Sequence, residues 1–163
     1  MDTTKFTARQ MNGLRQAFRL VNRLMVFMWK IGMGRLINIW PAALGRIMVI
    51  KHLGRRSGQV RMAPVNYAPV GGELYCTAGF GSGSDWYRNI MANPQVELWL
   101  PEGKSPARAE DISDCPERLT LLRQILIASG FAAPLFGITP KVSDEQLAAL
   151  TPGYRIIHFV REK

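Results

Sequence analysis

The residues best suited to chemistry lie in two glycine-rich stretches. The first is Gly54-Arg-Arg-Ser-Gly-Gln59, with Arg61 two residues further on. Two glycines keep such a loop open and let backbone N–H groups turn toward an anion. Arg55, Arg56 and Arg61 add positive charge, and a guanidinium can clamp a phosphate or carboxylate through two parallel hydrogen bonds. Ser57 and Gln59 add neutral hydrogen bonds. The Lys-Ser/Thr ending of a nucleotide-hydrolysing P-loop is missing. Standing alone, the segment is equally readable as a solvated basic hairpin turn. The second stretch is Gly79-Phe-Gly-Ser-Gly-Ser-Asp-Trp-Tyr-Arg-Asn89. It reads as a flexible loop running into a helix capped by Ser84 or Asp85, and such a junction suits anions or lets a planar ligand approach the backbone. Trp86 and Tyr87 can face that ligand, with a core anchor the stronger reading of Trp86. Asn89 is either a ligand contact or a helix-surface amide.

Other chemistries are excluded by what the chain lacks. Two cysteines, Cys76 and Cys115, cannot build a disulfide framework, and two histidines, His52 and His158, cannot build a His-rich metal centre. No catalytic triad or carboxylate pair stands out. The formal charge is +9 over 163 residues, and it is unevenly placed. Residues 1–61 hold twelve basic side chains and a single acid, Asp2, whereas the remainder is slightly acidic. An anionic partner is therefore expected in the first third. Nucleic acid is not expected as that partner, because no reading motif or aromatic-basic interleaving lies outside the two loops. The longest apolar run near the start, Leu24 to Trp29, is too short for a signal core or a membrane span. A cytoplasmic chain is expected.

The elements that must position the loops follow from periodicity. In residues 11–40, Arg15, Arg19, Arg23 and Lys30 gather on one side of a helical wheel. Leu14, Phe18, Val21, Leu24, Met25, Met28 and Trp29 gather on the other. Such a basic amphipathic helix can pack on the domain, dock on an anionic membrane surface as a peripheral segment, or meet a partner helix. It forms a leading unit over residues 1–44, with the main domain at 45–163. There the pattern predicts strands at 46–52, 59–70, 73–78, 95–100, 104–112 and 154–160. Gly71-Gly72 predicts a tight hairpin, and helices are predicted at 84–92 and 116–129, with broken helices over 131–150. Adjacent strands joined by tight turns predict an α+β fold built on an antiparallel sheet or small barrel, with helices outside.

The combined pattern resembles the deazaflavin-dependent nitroreductase and quinone reductase family. The matching residues are Gly54-Arg-Arg-Ser-Gly-Gln-x-Arg61, Pro64, Gly71-Gly72, Trp86-Tyr87-x-Asn89 and Ala92-Asn-Pro-x-Val96. The resemblance covers about residues 45–112 and implies a split β-barrel. It implies as cofactor a reduced 8-hydroxy-5-deazaflavin, coenzyme F-420, whose lactyl phosphate and oligoglutamate tail suit the basic first third. FMN is the alternative, since related split barrels bind it, and a non-catalytic cofactor-binding or membrane-surface protein is the other reading. The family's tail-binding loop falls on Arg55, Arg56 and Ser57, with Arg61 beside it. Its ring would lie against Met62, Ala63, Pro64, Val65 and Asn66 and against Thr77, Ala78, Gly79 and Phe80. Asp85, Trp86, Tyr87, Arg88 and Asn89 would close the pocket. The acceptor expected is a quinone, nitro compound or other conjugated electrophile, and a homodimer is an open expectation. The nitroimidazole-reducing relatives place tyrosines over the ring, where Ser129-Gly-Phe-Ala-Ala-Pro-Leu-Phe136 has none. Phe131 and Phe136 are expected as an apolar lid. Tyr154 is the nearest substitute for a catalytic tyrosine, and is equally readable as a strand-edge aromatic.

Overall fold

Glycine turns organise the first half of the sheet. The computed structural model describes residues 20–38, 45–128 and 141–162. Strand β1 (Arg46–Leu53) pairs antiparallel with β2 (Val60–Val70) in an unbroken register from Arg46↔Tyr67 to Leu53↔Val60. β2 turns into β3 (Glu73–Ala78) through Gly71 and Gly72, whose φ values of +59° and +88° are the left-handed pair that a two-residue hairpin requires. A short 3-10 turn (Gly81–Gly83) leads into α3 (Asp85–Ala92), and Asn93-Pro94 ends that helix before β4 (Gln95–Leu100). β5 (Gly103–Asp111), α4 (Arg118–Ala128), α5 (Asp144–Leu150) and β6 (Arg155–Arg161) complete the order.

The six strands close into an antiparallel barrel in the order β1-β2-β3-β6-β5-β4, so the fold is α+β with helices outside the barrel. Strand alternation sends one set of side chains inward. Met48, Ile50, Leu74, Cys76, Leu98 and Phe159 fill the interior. Truncating a fully buried residue such as Phe159 to alanine costs about 3–5 kcal/mol. A second cluster covers the outer face of β2, β3 and β6, where Ala68 and Ile156 meet Leu122, Ile125 and Leu126 of α4 and Leu147 of α5. α5 carries a full capping box, Ser143 to Gln146, at its start. Arg118 and Arg123 then link α4 to the α5 region, at the Thr151 carbonyl and the Asp144 carboxylate, 2.6 Å each.

Ahead of the barrel, residues 20–30 form helix α1 and Gly34–Ile37 form α2. Asn38 ties them to the sheet, donating to the Ile47 carbonyl and accepting from the Ile47 N–H, both at 2.8 Å. The apolar side of α1 is divided. Trp29 is buried and Met25 and Met28 are half-buried, but Leu20, Val21, Leu24 and Phe27 are exposed. Domain packing thus accounts for only part of the stripe that the sequence displays. Elsewhere the differences are small. α4 starts at Arg118 rather than Pro116, because the Cys115 carbonyl accepts the Arg118 N–H and holds 116–117 in a turn. Phe131 and Phe136 lie outside the described residues.

Candidate functional site

The β1–β2 hairpin and the start of α3 meet at one end of the barrel. The loop is a compact turn: the Gly58 N–H donates to the Gly54 carbonyl and the Gly54 N–H to the Gln59 carbonyl, both at 2.8 Å. Gly58 sits at φ +64°. Glycine at 54 lets two side chains approach closely: a Cβ there would lie 2.8 Å from Arg61 Nε and 2.9 Å from Ser57 Oγ. Arg61 therefore folds back over the loop. β3 runs antiparallel to β2, which brings the end of β3 and the loop 79–83 to the end where β2 begins.

Asn89 joins the two parts. Its side chain is buried, and its Oδ1 accepts from the Arg55 backbone N–H at 3.1 Å and from Arg55 Nη1 at 2.9 Å. The amide thus fixes both ends of Arg55. Asp85, in the first turn of α3, accepts from Nη1 and Nη2 of the same guanidinium, each at 3.3 Å. Gly54, Arg55, Arg56, Ser57, Arg61, Asp85 and Asn89 together line a hollow of about 200 Å³. Arg56 and Arg61 are exposed and have no ion-pair partner among the described residues. The donor set of guanidinium groups and a hydroxyl is the chemistry of a phosphate or carboxylate site. A wider groove of about 650 Å³ opens along β1, β4 and β5. Its lysines are already engaged, Lys51 with Glu97 at 3.4 Å and Lys104 over the Trp99 ring at 4.1 Å, so it lacks the free positive charge of the hollow.

The other face of α3 enters a closed polar junction. Tyr87 donates to Asp111 Oδ2 at 2.5 Å, and Asp111 Oδ1 accepts from the Ser113 N–H at 2.9 Å and from the Ser113 hydroxyl. Ser113 Oγ in turn accepts from the Ile156 N–H at 2.9 Å, and Arg155 Nε lies 3.9 Å from Asp111. Burial opposes the Asp111 charge, but the hydrogen bonds from Ser113 and Tyr87 outweigh it and hold the carboxyl below its ordinary range. Burial, followed by the Asp111 hydrogen bond, pushes the Tyr87 phenol up to about 12. Nothing local in the sequence marked this junction.

The remaining expected residues separate by face. Val65 and Ala78 pack into the barrel, and alternation puts Ala63 on the same side. Those three can offer a ligand on the outer face only their backbone. Met62, Pro64 and Asn66 share the outer face of β2 with Ala68, and Thr77 holds the corresponding outward position on β3. Tyr154 packs against Gly79, where a Cβ would stand 3.4 Å from the phenol ring. Burial raises its pKa, so the phenol stays protonated at neutral pH. Gly81, at φ +52°, is held so close to the Gly153 carbonyl that any Cβ would collide with it. Phe80 is exposed. Trp86 is half-buried against the barrel core and makes an edge contact with Tyr87, which agrees with its reading as an anchor. Arg88 donates to the Gly83 carbonyl at 3.0 Å and lies 3.9 Å from Asp85.

Barrel, basic hairpin and capping helix together define a split-barrel protein with a hollow lined by arginines at one end. The chain belongs to the F420H(2)-dependent quinone reductase family, whose profile matches residues 22–130. It is therefore of the F420-dependent reductase type, an oxidoreductase. Among solved structures it is similar to a conserved hypothetical protein of Mycobacterium tuberculosis, at 17% identity and TM-score 0.53, over 74% of this chain and 76% of that one. The heme storage protein HutZ of Vibrio cholerae aligns at 13% identity and TM-score 0.50, over 82% and 89%. An F420-H2 dependent reductase, FDR-A, aligns at 21% identity and TM-score 0.48, over 72% and 94%. The first two likenesses show the fold and say nothing of ligand. Among the described residues no helix is long and apolar enough to cross a membrane.

Proposed function

We propose that the chain transfers a hydride from reduced 8-hydroxy-5-deazaflavin to a quinone, a nitro compound or another conjugated electrophile, with a lipophilic quinone favoured. The observation that carries this reading is the open positive charge of Arg56 and Arg61 at the barrel end that also holds the glycine loop. The donor set fits the phosphate and carboxylates of the cofactor tail. The Tyr154 ring packs over Gly79, at the strand end where the resemblance puts the cofactor ring. When bound, the deazaflavin supplies a two-electron hydride donor at ring carbon five.

The rest of the chemistry falls to the chain. Arg55, Arg56, Ser57 and Arg61 hold the tail, with Asn89 fixing the direction of Arg55. Met62, Pro64, Asn66 and Thr77 flank the ring and keep water away, which strengthens every electrostatic contact inside the crevice. Tyr154, protonated and held against Gly79, would give a proton to the acceptor oxygen. The exposed Leu20, Leu24 and Phe27 of α1, with Arg23 and Lys30 on the same helix, support docking on the anionic inner face of a cell membrane, where lipophilic quinones dissolve.

The test is a fluorescence titration of the protein with oxidised deazaflavin and, separately, with FMN, at low and high salt, followed by menadione turnover with the reduced deazaflavin. Salt-sensitive deazaflavin binding, lost on Arg55→Ala/Arg56→Ala, together with turnover, is expected. Tight binding of FMN instead, binding of neither, or binding without menadione reduction overturns the reading. Tyr154→Phe is expected to lower kcat and leave cofactor affinity unchanged. Co-sedimentation with anionic liposomes checks the membrane component separately.

A further inference from the structure

The hollow contains one residue of the wrong sign for an anion site. Asp85 is 80% exposed at its side chain, and its Oδ1 accepts from both Nη1 and Nη2 of Arg55 at 3.3 Å, beside the hollow that the two residues line. Arg55 itself is well covered, 22% exposed, and its Nη1 is shared between Asp85 and the buried Asn89 amide. Asp85 thus holds the Nη1–Nη2 edge of a guanidinium that lines the hollow, in direct competition with any anion that enters it. A second cation stands ready for that carboxylate: Arg88, one helical turn on, is 3.9 Å from Asp85.

We propose that Asp85 is a resident counter-anion, a built-in competitor that sets how tightly the hollow takes a phosphate or carboxylate. The inference rests on the proposed anion-binding role of this loop and adds its regulation. Without a ligand, Asp85 screens Arg55. An arriving anion replaces it on the Nη1–Nη2 edge, and Asp85 moves toward Arg88, so that binding is an exchange of carboxylates or phosphates on one guanidinium. Because Asp85 is a short, exposed side chain, the exchange requires rotation of one side chain and leaves α3 in place. An exposed ion pair is worth little, so removing the competitor should tighten anion binding by about 2–5-fold. The positive field of the hollow also becomes less compensated, so the salt dependence should steepen.

A role limited to helix α3 would not move either quantity, which makes them the right readouts. Inorganic pyrophosphate is titrated calorimetrically into the full chain and into Asp85→Asn, Asp85→Glu, Arg55→Ala and the Arg55→Ala/Asp85→Asn double variant. Oxidised deazaflavin is titrated into the same proteins. Asp85→Asn is expected to bind pyrophosphate about 2–5-fold more tightly at low salt, with the gain shrinking at high salt. Asp85→Glu should stay near the parent, and the gain should vanish when Arg55 is absent. Equal affinity in parent and Asp85→Asn, a gain that survives loss of Arg55, or no pyrophosphate binding by any form overturns the proposal. If pyrophosphate behaves as expected but deazaflavin does not bind, the cofactor reading falls and the counter-anion stands. Equal deazaflavin binding by parent and Asp85→Asn removes the counter-anion and leaves the cofactor reading intact.

Discussion

Helix α3 presents a carboxylate cluster on each of two sides, and the two are built to opposite ends. On one side, Asp85 meets Arg55 across an open hollow with its carboxylate mostly in water. On the other, Asp111 is enclosed by Tyr87 and Ser113, and Ser113 continues the chain of hydrogen bonds to the backbone of β6. Both clusters join a carboxylate to donors from distant parts of the chain. The enclosed one accepts three hydrogen bonds, from Tyr87 and from the Ser113 N–H and hydroxyl, so it fastens α3 to β5 and β6. The open one has a partner that can be exchanged at little cost. A rigid joint on one face lets the helix hold a changeable contact on the other.

The strongest way to break this contrast is to remove the enclosed carboxylate. Asp111→Ala leaves the Tyr87 and Ser113 hydroxyls without their shared acceptor and is expected to lower stability by about 2–4 kcal/mol, read as a shift in urea midpoint at constant m. Arg55→Ala should act on the other readout, weakening deazaflavin binding by about 10–100-fold while leaving the thermal midpoint nearly in place. Tyr87→Phe removes one arm of the joint and should cost about 1–2 kcal/mol in the same denaturation experiment. Asp85→Asn, in the open cluster, should change stability by no more than about 0.5 kcal/mol. Comparable destabilisation by Asp85→Asn and Asp111→Ala would erase the distinction.

Acid sharpens it further. The native Asp111 carboxyl is held below its unfolded value, near 3.9, so its contribution is present above that pH and is lost as pH falls through the lower native value. His52 gives a second limb. Burial depresses its imidazole, with a smaller contribution from Arg61, which pairs with it across β1 and β2. The neutral form is therefore native, and stability declines as pH falls below the unfolded value near 6.5 toward the lower native one. A pH series of urea midpoints should show the two limbs, with His52→Gln abolishing the one near neutrality and Asp111→Asn the one in acid.

Much of the barrel was legible because turn residues punctuate it. Gly71-Gly72, Asn93-Pro94 and Pro101-Glu-Gly103 delimit β3 and β4 at the ends that the structure gives them. The two glycine-rich loops were legible as anion chemistry for the same local reason. What joins them was not. Arg55 meets Asp85 and Asn89 across 30 and 34 positions, and Ser113 meets Ile156 across 43, so these contacts exist only once the strands have found their order. Asp85 illustrates the gap: its position beside the hollow was expected, while its role as Arg55's partner depends on the angle at which α3 docks. The interior positions of Val65 and Ala78 likewise follow from strand register, which a run of apolar residues does not set.

The order of strands also bears on how the chain can be made. β6 sits between β3 and β5, and it is the last strand described. Until residues 155–161 leave the ribosome, β3 and β5 each present a row of unpaired backbone groups, in addition to an unlined barrel interior where Ile157 and Phe159 belong. Such edges invite pairing with other chains. Nascent chains paused before residue 155 should therefore depend on chaperones in a way that the finished protein does not. Pairing of this seven-residue strand with β3 on one side and β5 on the other turns an aggregation-prone open sheet into a barrel.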